Sequence, residues 1–227
     1  KRMRKHPNTN WARRVEEVKE EAKSVYDLEG ELKPGVLMKM LRKMLPEDAI
    51  LTTGVGQNQM WAALFFDVYH PRTFITSGGL GAMGFGFPAA VGAKAAAPGR
   101  VVVDVDGDGS FMMTSQELVT SMAENLPVIS IILNNGWLGM VRQWQTLFYG
   151  KRYIATDLRG NPEFAKFAEI HGAQGFTVHS YEDFESAVKE SLGCEVTSLI
   201  DVKISPDEKV FPFVPPGKSL KEVLLHE

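Results

Sequence analysis

Two short apolar runs, residues 101–105 (VVVDV) and 128–133 (VISIIL), limit the fold more than any other feature of the sequence. A strand with one wet face alternates apolar and polar residues. These runs barely alternate, so both of their faces must be covered. That is the condition of a parallel sheet held between two layers of helices. Between the runs, Thr114-Ser-Gln-Glu117 has the form of a capping box and predicts a helix start. Strand, helix and strand in that order predict a right-handed crossover and a parallel pair.

The same alternation extends in both directions. Pro34 opens a helix to Leu45, with Val36, Leu37, Met40, Leu41 and Met44 on helical spacing. Short strands are expected over 49–53, 73–76, 174–178 and 198–204. Helices are expected over 57–68, 88–97 and 180–192, and from Asn161-Pro-Glu163 to His171. Ser219 is expected to cap a short final helix. Ahead of these, residues 1–10 read as a basic, polar linker, 11–26 as a charged helix capped by Asn10, and 27–33 as a second linker. The expected organisation is a linker and N-terminal helix over 1–32 and one domain over 33–227. The expected fold class of that domain is α/β, a doubly wound, mostly parallel sheet flanked by helices.

Ligands of such sheets bind at the carboxyl ends of the strands. The first run ends in Asp106-Gly107-Asp108-Gly109-Ser110, where glycine lets the backbone approach a ligand and Asp108 offers a carboxylate. The amides of Gly109 and Ser110 point where an anion can sit, and the field of the following helix favours one there. The second run ends in Asn134-Asn135-Gly136-Trp137. One carboxylate, one amide oxygen and one backbone carbonyl leave room for phosphate oxygens and water, which is how Mg²⁺ is held when its ligand carries phosphates. Read separately, Gly-Asp-Gly is a turn and Asn-Asn a helix cap. Read together, they end two core strands that flank one helix, which places both at one sheet edge.

Other readings have less behind them. Gly79-Leu-Gly81-Ala-Met-Gly84 matches the dinucleotide fingerprint, with Asp104 about 20 residues on, yet its upstream strand is short and Pro88 delays its helix. Five scattered histidines do not suggest zinc. A formal charge of -3 gives no footprint for nucleic acid or an anionic membrane, and no apolar run approaches the roughly 20 residues of a membrane span. The one cysteine, Cys194, reads as a thiol without a role, and a cytoplasmic setting is expected.

Gly107-Asp108-Gly109, followed after 24 residues by Asn134-Asn135, resembles the thiamine diphosphate motif. Further segments narrow the family: Thr53-Gly-Val-Gly-Gln-Asn-Gln-Met-Trp61, Ser77-Gly-Gly-Leu-Gly-Ala-Met-Gly84, Leu138-Gly-Met-Val-Arg-Gln-Trp-Gln145 and Phe213-Val-Pro-Pro-Gly217. They are similar to acetolactate synthase (acetohydroxyacid synthase), catalytic large subunit. The resemblance runs from about Pro34 to the C-terminus and implies the thiamine diphosphate-binding fold. It implies Mg²⁺ held by Asp108, Asn135 and the carbonyl of Trp137. It implies diphosphate contacts from Gln57, Asn58, Gly109 and Ser110 beside Gly107, and aminopyrimidine contacts from Gly81 and Met83, with Met83 bending the cofactor. Met140 and Trp144 would lie on a mobile segment and shape the pocket for the second 2-oxoacid. The family often has histidine where Asn58 stands, which affects pH dependence more than binding.

The function implied by the resemblance is a transferase that condenses pyruvate with pyruvate or 2-oxobutanoate after decarboxylation, in branched-chain amino acid biosynthesis. The carboxylate that activates the aminopyrimidine in such enzymes comes from another domain, so this chain alone is expected to be a cofactor half-site. Its expected partners are small 2-oxoacids, the remaining domains of a large subunit and further copies in a homo-oligomer. FAD in the full-length enzyme and a regulatory subunit also fit the resemblance. The alternatives are a half-site or subunit of another thiamine diphosphate-dependent 2-oxoacid decarboxylase, oxidase or carboligase, and a non-catalytic scaffold that keeps the fold.

Overall fold

The two apolar runs become neighbouring central strands, β3 (Val102–Gly107) and β4 (Ile129–Asn134), paired in parallel with Val103 opposite Ile129 and Gly107 opposite Leu133. The computed structural model describes residues 9–23 and 31–225. The chain divides into Lys1–Gly30 and Glu31–Glu227. The first unit contains helix α1 (Asn10–Lys23). The Thr9 hydroxyl accepts from the Ala12 N–H at 3.2 Å, while the Asn10 carbonyl oxygen of the side chain accepts from Arg13. The expected cap therefore moves back by one residue, to Thr9.

In the second unit six strands form one sheet in the order β2-β1-β3-β4-β6-β5, with β1 (Ile50–Thr53), β2 (Phe74–Thr76), β5 (Gln174–Val178) and β6 (Ser198–Lys203). Every pairing is parallel. This is the doubly wound sheet expected, and its order reverses between β1 and β3, the place where such sheets open a crevice.

The alternation along β3 shows how both faces are covered. Val103 and Val105 join a core with Leu37, Leu41, Trp61 and Phe184, from helices α2 (Pro34–Met44), α3 (Gln57–Phe65) and α9 (Tyr181–Leu192). Val102 joins the opposite core with Phe87, Phe111, Leu118 and Phe164. These come from α4 (Gly86–Ala96), α5 (Asp108–Met112), α6 (Glu117–Ala123) and α8 (Phe164–Ile170). Helix α4 packs closely because position 86 has no side chain. A Cβ there would lie 2.4 Å from the Gly54 nitrogen and 2.5 Å from an Asp104 carboxylate oxygen.

Several expectations are corrected. Pro88 does not delay α4. The helix begins at Gly86, and a proline within the first turn loses no intrahelical bond. Helix α3 stops at Phe65, short of Val68. The Thr114 capping box does not form, because the Thr114 hydroxyl donates instead to the Gly84 carbonyl at 2.8 Å. Helix α6 consequently starts at Glu117, without a side-chain cap. Ser219 does stand at the start of a short final turn, the 3₁₀ turn Leu220–Glu222, where its N–H donates to the Glu222 carboxylate at 3.0 Å. Among the described residues, no helix is long and apolar enough to cross a membrane.

Candidate cofactor and metal site

The crevice at the reversal point is a cleft enclosing about 470 Å³, part of it open to solvent. Three loops build it. The turn after β1 brings Val55, Gly56, Gln57 and Asn58; the end of β3 brings Gly107, Asp108, Gly109 and Ser110; the end of β4 brings Leu133, Asn135 and Trp137. Met83 enters from the loop before α4, and Leu138 to Val141 from the start of α7 (Gly139–Phe148). Of the expected site residues, Gln57, Asn58, Met83, Gly107, Asp108, Gly109, Ser110, Asn135, Trp137 and Met140 all line this one cleft.

Gly81 and Trp144 do not line it. Gly81 is an exposed residue with φ +63°, and a Cβ added there would lie 3.8 Å from the side chain of Val55, which is itself in the wall. Trp144 sits one helical turn beyond Met140 on α7 and is 37% exposed.

The loop expected around Gly-Asp-Gly is in fact a helix start. Asp108 is the first residue of α5, so its carboxylate lies where unpaired N–H groups favour negative charge. Asp108 is 1% exposed, and one of its carboxylate oxygens is buried with no hydrogen-bond partner. Burial pushes its pKa up to about 7, against its own N–H and that of Gly109, which favour the charged form. Asp201 adds to the rise and Lys203 opposes it. An orphaned carboxylate oxygen on the wall of an open cleft is the partner that a divalent cation lacks, so the residues present fit a metal.

Asn135 lines the same cleft as Asp108, from the neighbouring strand end. Its side-chain oxygen accepts the Trp137 N–H at 3.0 Å, and its amide donates to Gln57 Oε1 at 3.1 Å. Asn134 belongs to the frame instead. It donates to Asp201 at 2.9 Å and accepts from the Gly136 N–H. The Trp137 ring is packed by Tyr153 at 5.8 Å and by the guanidinium groups of Arg142 at 5.0 Å and Arg159 at 5.5 Å. Among the described residues no three His, Cys, Asp or Glu converge as a metal cluster. The donor set here is mixed, with one carboxylate beside amide and carbonyl oxygens, which suits a hard cation that brings phosphate oxygens with it.

Three polar side chains expected to meet the diphosphate are engaged within the protein. Both amide protons of Gln57 are donated, to Gln143 at 2.9 Å and to the Glu208 carbonyl at 3.0 Å. Both amide protons of Gln57 are thus held by the protein itself, while the residue still lines the cleft. The Ser110 hydroxyl accepts from the N–H of Val55 at 3.2 Å and of Gly84 at 3.0 Å, which ties three loops together, and it gives its own proton to Asp106. Asn58 donates to the Val105 carbonyl at 3.0 Å with one of its two amide protons.

Three acids that sequence reasoning passed over or misplaced lie beneath the cleft. Asp104 and Asp106 share the α4 face of β3 and are both fully buried. Asp104 accepts from Thr52 at 3.2 Å and Ser130 at 2.8 Å, so it is a buttress between strands and not the ribose-binding acid of a dinucleotide fold. Burial and the neighbouring Asp106 hold its pKa well above the usual carboxylate range. Burial lifts Asp106 to about 7, with the Ser110 hydroxyl and the Gly107 N–H pulling the other way. Asp201, the third, is 0% exposed and is paired with Lys203 at 2.6 Å. Its only sequence signal is a charge inside an apolar strand.

The raised pKa of Asp108 carries a prediction. A carboxyl raised from 3.8 to about 7 binds its proton more tightly when folded. Its contribution to stability is fully present below about pH 4 and is lost as pH rises through about 7. The melting temperature of the ligand-free protein should therefore fall less steeply over that window in Asp108→Asn than in wild type. Thermal melts across the range check this, and parallel curves would refute it.

A parallel α/β domain with a cleft at its reversal point, lined by a buried carboxylate, an amide side chain and a glycine-rich helix start, defines a binding domain for a phosphate-bearing cofactor. Residues 54–202 match the family described as thiamine pyrophosphate enzyme, C-terminal TPP binding domain, and the chain belongs to that family. It is 43% identical to the acetolactate synthase isozyme 2 large subunit of Escherichia coli (strain K12), over 95% of this chain and 39% of that one. It is 46% identical to the mitochondrial acetolactate synthase of Schizosaccharomyces pombe, over 87% of this chain and 30% of that one. The fold matches Rhodococcus jostii RHA1 thiamine diphosphate-dependent 4-hydroxybenzoylformate decarboxylase with a TM-score of 0.72 and 32% identity, over 81% of this chain and 34% of that one. The chain thus spans less than half the length of these relatives.

Proposed function

We propose that this chain is the cofactor-holding part of an acetolactate synthase, a transferase that condenses pyruvate with pyruvate or 2-oxobutanoate after decarboxylation and so serves branched-chain amino acid synthesis. The observation that carries the site reading is the orphaned, buried oxygen of Asp108 in the wall of a cleft that Asn135 also lines. The identity of 43% and 46% to two acetolactate synthases favours the particular activity.

Asp108, Asn135 and the Trp137 carbonyl would hold Mg²⁺. The amides of Gly109 and Ser110, with the second proton of Asn58, would meet the diphosphate. When bound, thiamine diphosphate supplies the carbon that adds to the 2-oxoacid and takes up the electron pair released with carbon dioxide. Met83 would support the bent cofactor. Met140 would border the acceptor, with Trp144 one turn behind it, and Gly81 would approach the aminopyrimidine from its loop. The activating carboxylate, FAD where used, and a regulatory subunit belong to other domains and chains of a homo-oligomer. The proposed setting is the cytoplasm.

A second reading is a decarboxylase, the activity that the Rhodococcus jostii relative's name gives; acting on pyruvate it would release acetaldehyde. Supplying the full-length protein with pyruvate, thiamine diphosphate and Mg²⁺ separates the two. The proposed activity gives acetolactate as the main product. Free acetaldehyde with little acetolactate would overturn it in favour of the second reading.

A further inference from the structure

Asn135 can offer a metal its oxygen or its NH₂ group, depending on which way its amide is turned. Geometry at the amide alone does not distinguish the two, but its partners do. A chain of three side-chain amides fixes the choice, and it is anchored on backbone groups that can only donate or only accept.

The chain starts at Gln143 on α7, which is 2% exposed. The Val210 N–H donates to Gln143 Oε1 at 2.9 Å, and Gln143 Nε2 donates to the Val210 carbonyl at 3.1 Å. This two-point pairing permits one orientation of the Gln143 amide. Its oxygen also accepts from Gln57 Nε2 at 2.9 Å, and the Glu208 carbonyl accepts from the same nitrogen at 3.0 Å. Gln57 Oε1 is thereby placed at the far end, where it accepts from Asn135 Nδ2 at 3.1 Å. The other end of the chain agrees, because the Trp137 N–H donates to Asn135 Oδ1 at 3.0 Å.

Position 139 provides a separate sign that this junction is built closely. A Cβ on Gly139 would lie 2.1 Å from Gln57 Oε1 and 2.5 Å from Asn135 Nδ2. Only glycine at the start of α7 lets the Gln57–Asn135 bond exist where it does.

We infer that Gln143 is a positioning residue for the metal site: through Gln57 it holds the nitrogen end of the Asn135 amide while the Trp137 N–H holds the oxygen end, so that oxygen, with a lone pair to spare, is presented to the cation. This rests on the reading of Asn135 as a metal ligand. It also links the segment 208–210 to the site, since Glu208 and Val210 supply the backbone groups that fix the amides.

The test is the Mg²⁺ concentration needed for half-maximal thiamine diphosphate binding, measured by calorimetry on the full-length protein. Gln143→Leu should raise it about tenfold or more, the usual cost of losing a group that orients a metal ligand. In an Asn135→Asp background both side-chain ends are oxygens and polarity no longer matters. There the added cost of Gln143→Leu should fall to less than about threefold, a coupling that a packing defect would not produce. If Gln143→Leu does not fold, Gln143→Met, an unbranched chain of similar length, takes its place. An unchanged Mg²⁺ requirement, or equal costs in both backgrounds, overturns the inference and leaves the site reading standing. Wild type that shows no Mg²⁺-dependent binding overturns the site reading and the inference with it.

Discussion

Asp108→Ala is expected to bind thiamine diphosphate no more tightly with Mg²⁺ than without it, whereas wild type should gain affinity from the metal. The substitution removes the one carboxylate of the proposed donor set, and the amide and carbonyl oxygens of Asn135 and Trp137 carry no charge to replace it. It also removes a buried acid whose pKa is raised by burial, so the folded protein loses no favourable ion pair. Stability of the ligand-free protein at neutral pH should accordingly hold or rise while metal-dependent binding disappears. Those opposite signs separate a ligand from a structural residue. Calorimetric titration with thermal melts on the same samples reads both. A variant that melts lower and keeps Mg²⁺-dependent binding would remove Asp108 from the metal site.

The second large effect is expected at Phe111. This residue is 0% exposed on α5, three positions beyond Asp108, and meets Phe87, Phe164 and Phe167 edge-on at 5.3, 5.6 and 6.5 Å. It is the anchor that seats the short helix carrying Asp108. Phe111→Ala should cost about 3–5 kcal/mol in cavity and lost contacts. For a domain of this size that lowers the melting temperature by on the order of 10 °C. Ile170→Ala, at an 81% exposed position on α8, is the control and should change stability by less than about 0.5 kcal/mol. Equal melting temperatures for the two variants would contradict the role given to Phe111.

The parts of this molecule that could be read from its sequence are those set by neighbours along the chain. Residues 101–105 and 128–133 have no alternation and could be strands only if covered on both faces, and the helices do cover them. The glycines, Asp108 and Asn135 were legible because each ends such a strand. What could not be read depends on contacts distant in sequence. Thr114 looked like a cap until Gly84, 30 residues earlier, took its hydroxyl. Asp104 looked like part of a dinucleotide fingerprint, but strand pairing surrounds it with Thr52 and Ser130. Gln57 gives no local sign of its partners, Gln143 and Glu208, which lie 86 and 151 residues away. Gln143 carries no local signal at all, since a glutamine on an amphipathic helix reads as surface until its partners are known.

The most direct test of the central claim is anomalous X-ray diffraction from crystals grown with thiamine diphosphate and Mn²⁺ in place of Mg²⁺. A Mn²⁺ peak is expected in the cleft between the ends of β3 and β4, bonded to Asp108, to the side-chain oxygen of Asn135 and to the Trp137 carbonyl, with diphosphate oxygens completing its shell. A cofactor bound in that cleft with its metal held by other residues would contradict the account.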